Sequence, residues 1–202
     1  MAIKDHSLDP RIIEAAKGEF LTHGYQKASL HKIAERAGIT TGALYTRYKN
    51  KDDLFCSLVA PAMKEMAAHM ESIQENYQKA YEARTADSIL AAIRAEDHVY
   101  LELLFEHYDE CMLLYCRSAG SSLQKQMAVM MEKKAAQSVG YFRSMSKKDI
   151  EWSGLEVLMA QQFYSYQQVL EKGYTKEQAV ACMKTVEMFL EAGWKAVLDE
   201  IL

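Results

Sequence analysis

Between Ser29 and Asp53 the chain carries three helix starts and one firm stop, packed into a stretch too short for long helices. Ser29 is an N-cap residue, and Leu30, Ile33, Ala34 and Ala37 follow it at helical spacing. Gly38 ends that helix, because glycine takes the left-handed backbone of a C-terminal stop without strain. Thr40 caps a further helix, expected to run to about Tyr48, and Asn50 with Asp53 three residues on opens another in capping-box fashion. Two short helices joined only by Gly38 and Ile39, with small Ala34 at the crossing and Leu44 as the inward anchor, read as a helix-turn-helix. The second helix of such a pair enters the major groove of DNA.

The rest of the chain is patterned as helix almost throughout. Of 202 residues only 2 are proline and 9 glycine, while 50% are apolar, so short connections and a substantial core are expected. Asp9 and Pro10 open a first helix carrying Ile12, Ile13, Ala16 and Phe20, which Gly24 stops. Beyond residue 50, helices are expected at about 51–80, 85–107, 109–118, 121–143, 147–172 and 176–200. Pro61 falls inside the first of these and is expected to bend or break it. The predicted fold is all-α, about nine helices in total. A three-helix DNA-binding domain over residues 1–50 is joined to a larger helical bundle over 51–202 for ligand binding and dimerisation.

Charge supports that division. The whole chain has a formal charge of −4, yet residues 1–51 hold 9 Lys/Arg against 5 Asp/Glu. From Lys27 to Lys51 there are 6 basic residues and one acid, Glu35. On the third helix Thr40, Thr41 and Gly42 form the first turn, where N–H groups and hydroxyls can meet phosphates or base edges. Gly42 lets the helix backbone approach a duplex closely. Tyr45 offers a hydroxyl to a phosphate, Thr46 and Arg47 reach bases or backbone, and Lys51 adds a charge beside another phosphate. Ser29, at the start of the second helix, joins this set. The competing reading of each is a solvated helix face.

Residues 11–55 resemble the DNA-binding domain of the TetR-type (TetR/AcrR) transcriptional repressors. The resemblance rests on Phe20-x-x-x-Gly24-Tyr25, Ile33-Ala34-x-x-Ala37-Gly38, Gly42-x-Leu44-Tyr45-x-x-Tyr48 and Lys51-x-x-Leu54. It implies a repressor that binds a palindromic double-stranded operator as a homodimer, with a divergent C-terminal domain whose small-molecule effector releases the DNA. Three positions depart from the family pattern. Lys32 stands where an acid usually completes the helix-2 cap, Arg47 where histidine is common, and Tyr48 where phenylalanine is commoner.

In the C-terminal part, Met66, Met70, Tyr108, Met112, Tyr115, Met131, Met159 and Phe163 are candidates to line an adaptable pocket, though at helical spacing they also serve as ordinary core. The last helix is apolar around about half its circumference, more than one core face needs. A twofold four-helix interface is therefore expected, built from Ile150, Val157, Tyr164, Met183, Val186, Phe189, Leu190 and Val197.

His98, Glu102 and Glu106 share one helix face, which reads as a solvated stripe before a metal or acid-base set. No phosphate loop, nucleophile elbow or zinc spacing is present, so no catalytic residue, cofactor or metal is expected. The alternative function class is a helical enzyme or a metal/redox-binding protein, with Cys111 and Cys116 as the pair and the helix-turn-helix only structural. A cytoplasmic location follows from the lack of a signal region, of a membrane-length apolar run and of any disulfide spacing.

Overall fold

The structure, a computed structural model, describes residues 9–146, 148 and 152–202, without the side chains of 9, 70–72 and 160–163. The described residues form α1 (Asp9–Lys27), α2 (Leu30–Ala37), α3 (Thr41–Tyr45), α4 (Lys51–Ala83), α5 (Ala86–Glu106), α6 (Tyr108–Cys116), α7 (Ser122–Met145), α8 (Ser153–Glu171) and α9 (Lys176–Ile201). No strand occurs among them. They fall into two compact units, residues 1–64 with 107–126, and residues 65–106 with 127–202.

The first unit packs α1, α2, α3 and the start of α4 around Ile12, Phe20, Ile33, Leu44, Leu54 and Phe55, all 1% exposed or less. Each large side chain buried this way contributes roughly 1.5–3 kcal/mol. Phe20 meets Phe55 edge-on with centroids 4.9 Å apart, and Tyr25 meets Phe55 at 5.2 Å.

Gly24 ends the regular part of α1 at φ 69°, ψ 166°, a backbone conformation closed to other residues. The turn frees the Tyr25 N–H, which donates to the Arg117 carbonyl at 2.8 Å, while Arg117 Nε donates to the Leu21 carbonyl at 3.0 Å. Lys17 adds an ion pair to Glu110 at 2.6 Å. This unit thus includes α6 and the start of α7 as well as residues 1–50.

The second unit is built from the remainder of α4 and α7 with α5, α8 and α9. Its core holds Ile89, Leu90, Phe142, Leu155, Trp194, Leu198 and Ile201. Buried polar groups also pair across helices in it. Tyr77 donates to Glu96 at 2.5 Å, Lys134 also reaches Glu96, and Tyr166 donates to Asp97 at 2.7 Å. Burial and the Asp97 carboxylate push the Tyr166 hydroxyl far above its ordinary pKa, so it is held as a donor.

Two expectations need correction. α4 runs unbroken through Pro61. Pro61 is exposed while Leu58, Val59 and Ala62 beside it are buried, so packing holds the helix across the missing N–H. α3 stops at Tyr45 rather than Tyr48. The Thr46 hydroxyl donates to the Ala43 carbonyl at 2.7 Å and the Arg47 N–H bonds to Leu44, three residues back, which tightens the end into a turn. α8 is described from Ser153, and the expected start at about 147 lies outside the described residues.

Candidate nucleic-acid interface

Local chemistry sets α2 and α3. Ser29 Oγ accepts the Lys32 N–H at 3.4 Å, and Thr40 Oγ1 accepts the Ala43 N–H at 3.1 Å. Gly38 sits at φ 68°, ψ 35°, and N–H bonds from Gly38 to Glu35 and from Ile39 to Ala34 close the turn. Of the five residues of α3 only Leu44 is buried. Its other sides present Thr41, Gly42 and Tyr45, with Thr46 following, and the Tyr45 side chain is 51% exposed.

Gly42 is informative because nothing among the described residues asks for it. A Cβ there would meet only Thr40 Oγ1, at an ordinary 3.8 Å, and its backbone is not left-handed. At Gly38, by contrast, a Cβ would fall 2.3 Å from Arg11 Nη2. In the same stretch of chain Lys27, Lys32, Arg36 and Lys49 are exposed cations, and His31 is exposed as well. Arg47 is half-buried, and its guanidinium also bonds the Ala43 carbonyl at 3.4 Å.

Lys51 has a role inside the protein that its position in the sequence did not reveal. Its ammonium donates to the carbonyls of Gln26 at 3.0 Å and Ala28 at 3.2 Å, and lies 4.9 Å from the Tyr25 ring centroid. It ties the end of α1 to the start of α4. Beside it, Asp52 accepts the Ser122 N–H at 2.9 Å and the Ser122 hydroxyl at 2.5 Å, so α4 caps α7. Burial raises the Asp52 carboxyl, but the bonds from Ser122 and Tyr25 outweigh it and leave the pKa below the ordinary value. An aspartate in a first helical turn usually answers the helix dipole, so only the fold identifies this one as a cross-helix cap.

The pocket candidates are divided between the units. Tyr108, Met112 and Tyr115 lie half-buried on α6 in the first, while Met66 is buried and Met131 and Met159 half-buried in the second. The side chains of Met70 and Phe163 lie outside the described residues.

Among the interface candidates, Val157, Tyr164 and Phe189 are 62%, 53% and 79% exposed. Val186, Leu190 and Val197 are half-buried, the last two against the core of the second unit, and Ile150 lies outside the described residues. Met183 is corrected: at 1% exposure it belongs to the chain's own core and offers no surface to a partner. Met188, next to Phe189 in sequence, is 69% exposed.

Glu102, in the exposed stripe with His98 and Glu106, pairs with Lys176 at 2.5 Å. Cys111 and Cys116 are free thiols, and burial pushes the Cys111 pKa up to about 12, far from a reactive thiolate at neutral pH. No helix of the described residues is long and apolar enough to cross a membrane.

Comparison with known proteins adds to this geometry. Residues 12–58 match the pattern of "Bacterial regulatory proteins, tetR family". The fatty acid metabolism regulator protein of Bacillus subtilis is 36% identical over 61 residues, 30% of this chain and 31% of that protein. The chain thus spans about a third of the length of that curated relative. A TetR-like transcriptional regulator from Rhodococcus sp. RHA1 superposes with a TM-score of 0.60 over 96% of this chain and 98% of its own, at 16% identity. The FadR regulator of Bacillus subtilis, solved in complex with stearoyl-CoA, gives 0.53 over 92% and 98% of the two chains, at 20% identity. At such identities the structures speak for the fold alone. Over the helix-turn-helix the chain is therefore similar in sequence to regulatory proteins of the tetR family, and along nearly its whole length it shares the fold of TetR-like regulators.

Proposed function

We propose that the chain is a DNA-binding transcriptional repressor that reads a palindromic operator with α3 as a homodimer and releases it on binding a small-molecule effector. Residues 1–50 serve as the DNA-binding domain, and 51–202 carry effector binding and dimerisation. The observation that carries the DNA reading is Gly42. A residue that weakens a helix, yet has open space around it and an outward position on α3, is explained by close approach of another molecule's backbone. Thr41, Tyr45, Thr46 and Arg47 line the same approach, with the cations of the same stretch of chain for phosphates.

Dimerisation through α8 and α9 is supported by the exposed Val157, Tyr164, Met188 and Phe189. From Gln178 to Ala196 the α9 face that holds Met188 and Phe189 otherwise presents small uncharged residues, Ala181, Thr185, Ala192, Gly193 and Ala196, all exposed. Such a face lets a second helix approach closely.

Gly42→Ala provides the test, because the two roles open to this glycine predict opposite outcomes. Alanine should stabilise the free protein by up to about 1 kcal/mol through helix propensity. It should also weaken retention on mixed-sequence duplex DNA about tenfold by blocking approach, while unmodified protein loses affinity steeply as salt rises. Unchanged duplex affinity in Gly42→Ala, or salt-independent retention of the parent, would overturn the reading.

A further inference from the structure

The reciprocal half of a capping box needs an acceptor side chain at the third position of the helix, and in α2 that position is Lys32, which has none. The Ser29 N–H nevertheless has a partner. It donates to Glu19 Oε1 at 3.1 Å, from the neighbouring helix α1. Glu19 is 1% exposed and shares α1 with the fully buried Ala16 and Phe20. Among the described residues its other oxygen, Oε2, has no hydrogen-bond partner but lies 3.6 Å from Arg36 Nη1 and 3.8 Å from His23 Nε2. One carboxylate therefore meets α2 at its N-cap through a hydrogen bond and at its last turn through charge.

A carboxylate in such a place is expensive to desolvate, and an apolar side chain would fill the space without that cost. Its presence is explained by what it holds. Glu19 meets the start of α2 at Ser29 and its end at Arg36, and α3 follows that end after only Gly38, Ile39 and its cap Thr40. Any change in the set of α2 is passed directly to Thr41, Gly42 and Tyr45.

We infer that Glu19 is a positioning residue for DNA reading: it supplies from α1 the capping carboxylate that α2 lacks, and so sets the angle at which α3 is presented. This rests on the reading of α3 as the DNA-facing helix, but the capping role can be tested without DNA.

The experiment is a mutant cycle in the full chain, combining Glu19→Leu with Lys32→Gln, in which glutamine can restore the local capping box. Two quantities are read: hydrogen exchange of the Ser29 amide, and affinity for a mixed-sequence duplex at fixed salt. Glu19→Leu should speed Ser29 exchange about tenfold or more, because that N–H loses its only acceptor. It should also lower duplex affinity several-fold. Lys32→Gln should restore Ser29 protection in the Glu19→Leu background and leave it unchanged beside Glu19.

The loss of a surface cation at position 32 affects duplex binding in both backgrounds, so only the difference between them counts. Glu19→Gln, which keeps the acceptor, should retain Ser29 protection, and it serves if Glu19→Leu does not fold. Unchanged Ser29 exchange in Glu19→Leu, lost protection in Glu19→Gln, or an equal effect of Lys32→Gln in both backgrounds would overturn the inference. Failure of the unmodified protein to bind any duplex would instead remove the DNA reading and leave the capping result standing.

Discussion

The α2–α3 pair and the second compact unit handle their polar groups in different ways. In the first, caps three residues long run from Ser29 to Lys32 and from Thr40 to Ala43, Glu19 reaches in from α1, and the pair's charged side chains are exposed. In the second, the polar groups are buried and paired over long stretches of chain, Tyr77 with Glu96 and Tyr166 with Asp97, 19 and 69 residues apart. A surface that must read a fixed partner gains from short, local constraints that hold few atoms rigidly. A body assembled from long helices uses buried polar pairs to select one register of helix against helix. The first arrangement is written in neighbouring residues, and the second exists only once the helices have met.

The sharpest way to break the contrast is at the outer faces of α8 and α9. Val157→Glu combined with Phe189→Glu places charge where the proposed partner would bury it, at a cost of about 4 kcal/mol or more, roughly a thousandfold in dimer affinity. Sedimentation should then report a folded monomer, with operator binding lost. A dimer that persists in the double variant would move the interface elsewhere.

An intermediate effect compares the two kinds of polar contact directly. Tyr166→Phe removes a buried donor to a carboxylate and should cost about 2 kcal/mol, whereas Ser29→Ala removes a local cap and should cost about 1 kcal/mol. Thermal or urea unfolding of both variants gives the ranking, and a larger loss in Ser29→Ala would reverse the contrast drawn here.

The smallest expected effect concerns pH. The Asp52 pKa is lowered in the folded protein, so its contribution is present above the unfolded value of about 3.9 and is lost as pH falls through the folded value. Asp52→Asn should flatten the acid end of the stability curve below about pH 4, and an unchanged acid limb would mean that the tie to Ser122 contributes nothing.

How much could be read from the residues alone follows the same division. Ser29, Gly38, Thr40 and the Asn50–Asp53 pair announced their roles because each acts within four residues of itself; Asp53 N–H does bond Asn50 Oδ1, at 2.8 Å. Lys51, Asp52 and Glu19 could be seen only as charges, since their partners lie 23–25, 70 and 10 residues away. Met183 was assigned to the interface because periodicity shows that α9 has apolar residues on more than one side, but not which side faces the chain's own core. Pro61 carried a rule about hydrogen bonding, and burial of its neighbours overruled it.

Phe189, 79% exposed in the single chain, has a consequence at the scale of the cell. A protomer that meets water with that ring has reason to pair, and a pair is what a palindrome recognises. If the proposed dimer binds the proposed operator, its occupancy would depend on protomer abundance to a power above one wherever monomers predominate. A modest fall in synthesis, or dilution at division, would then empty the site more abruptly than it would for a repressor that binds as a single chain.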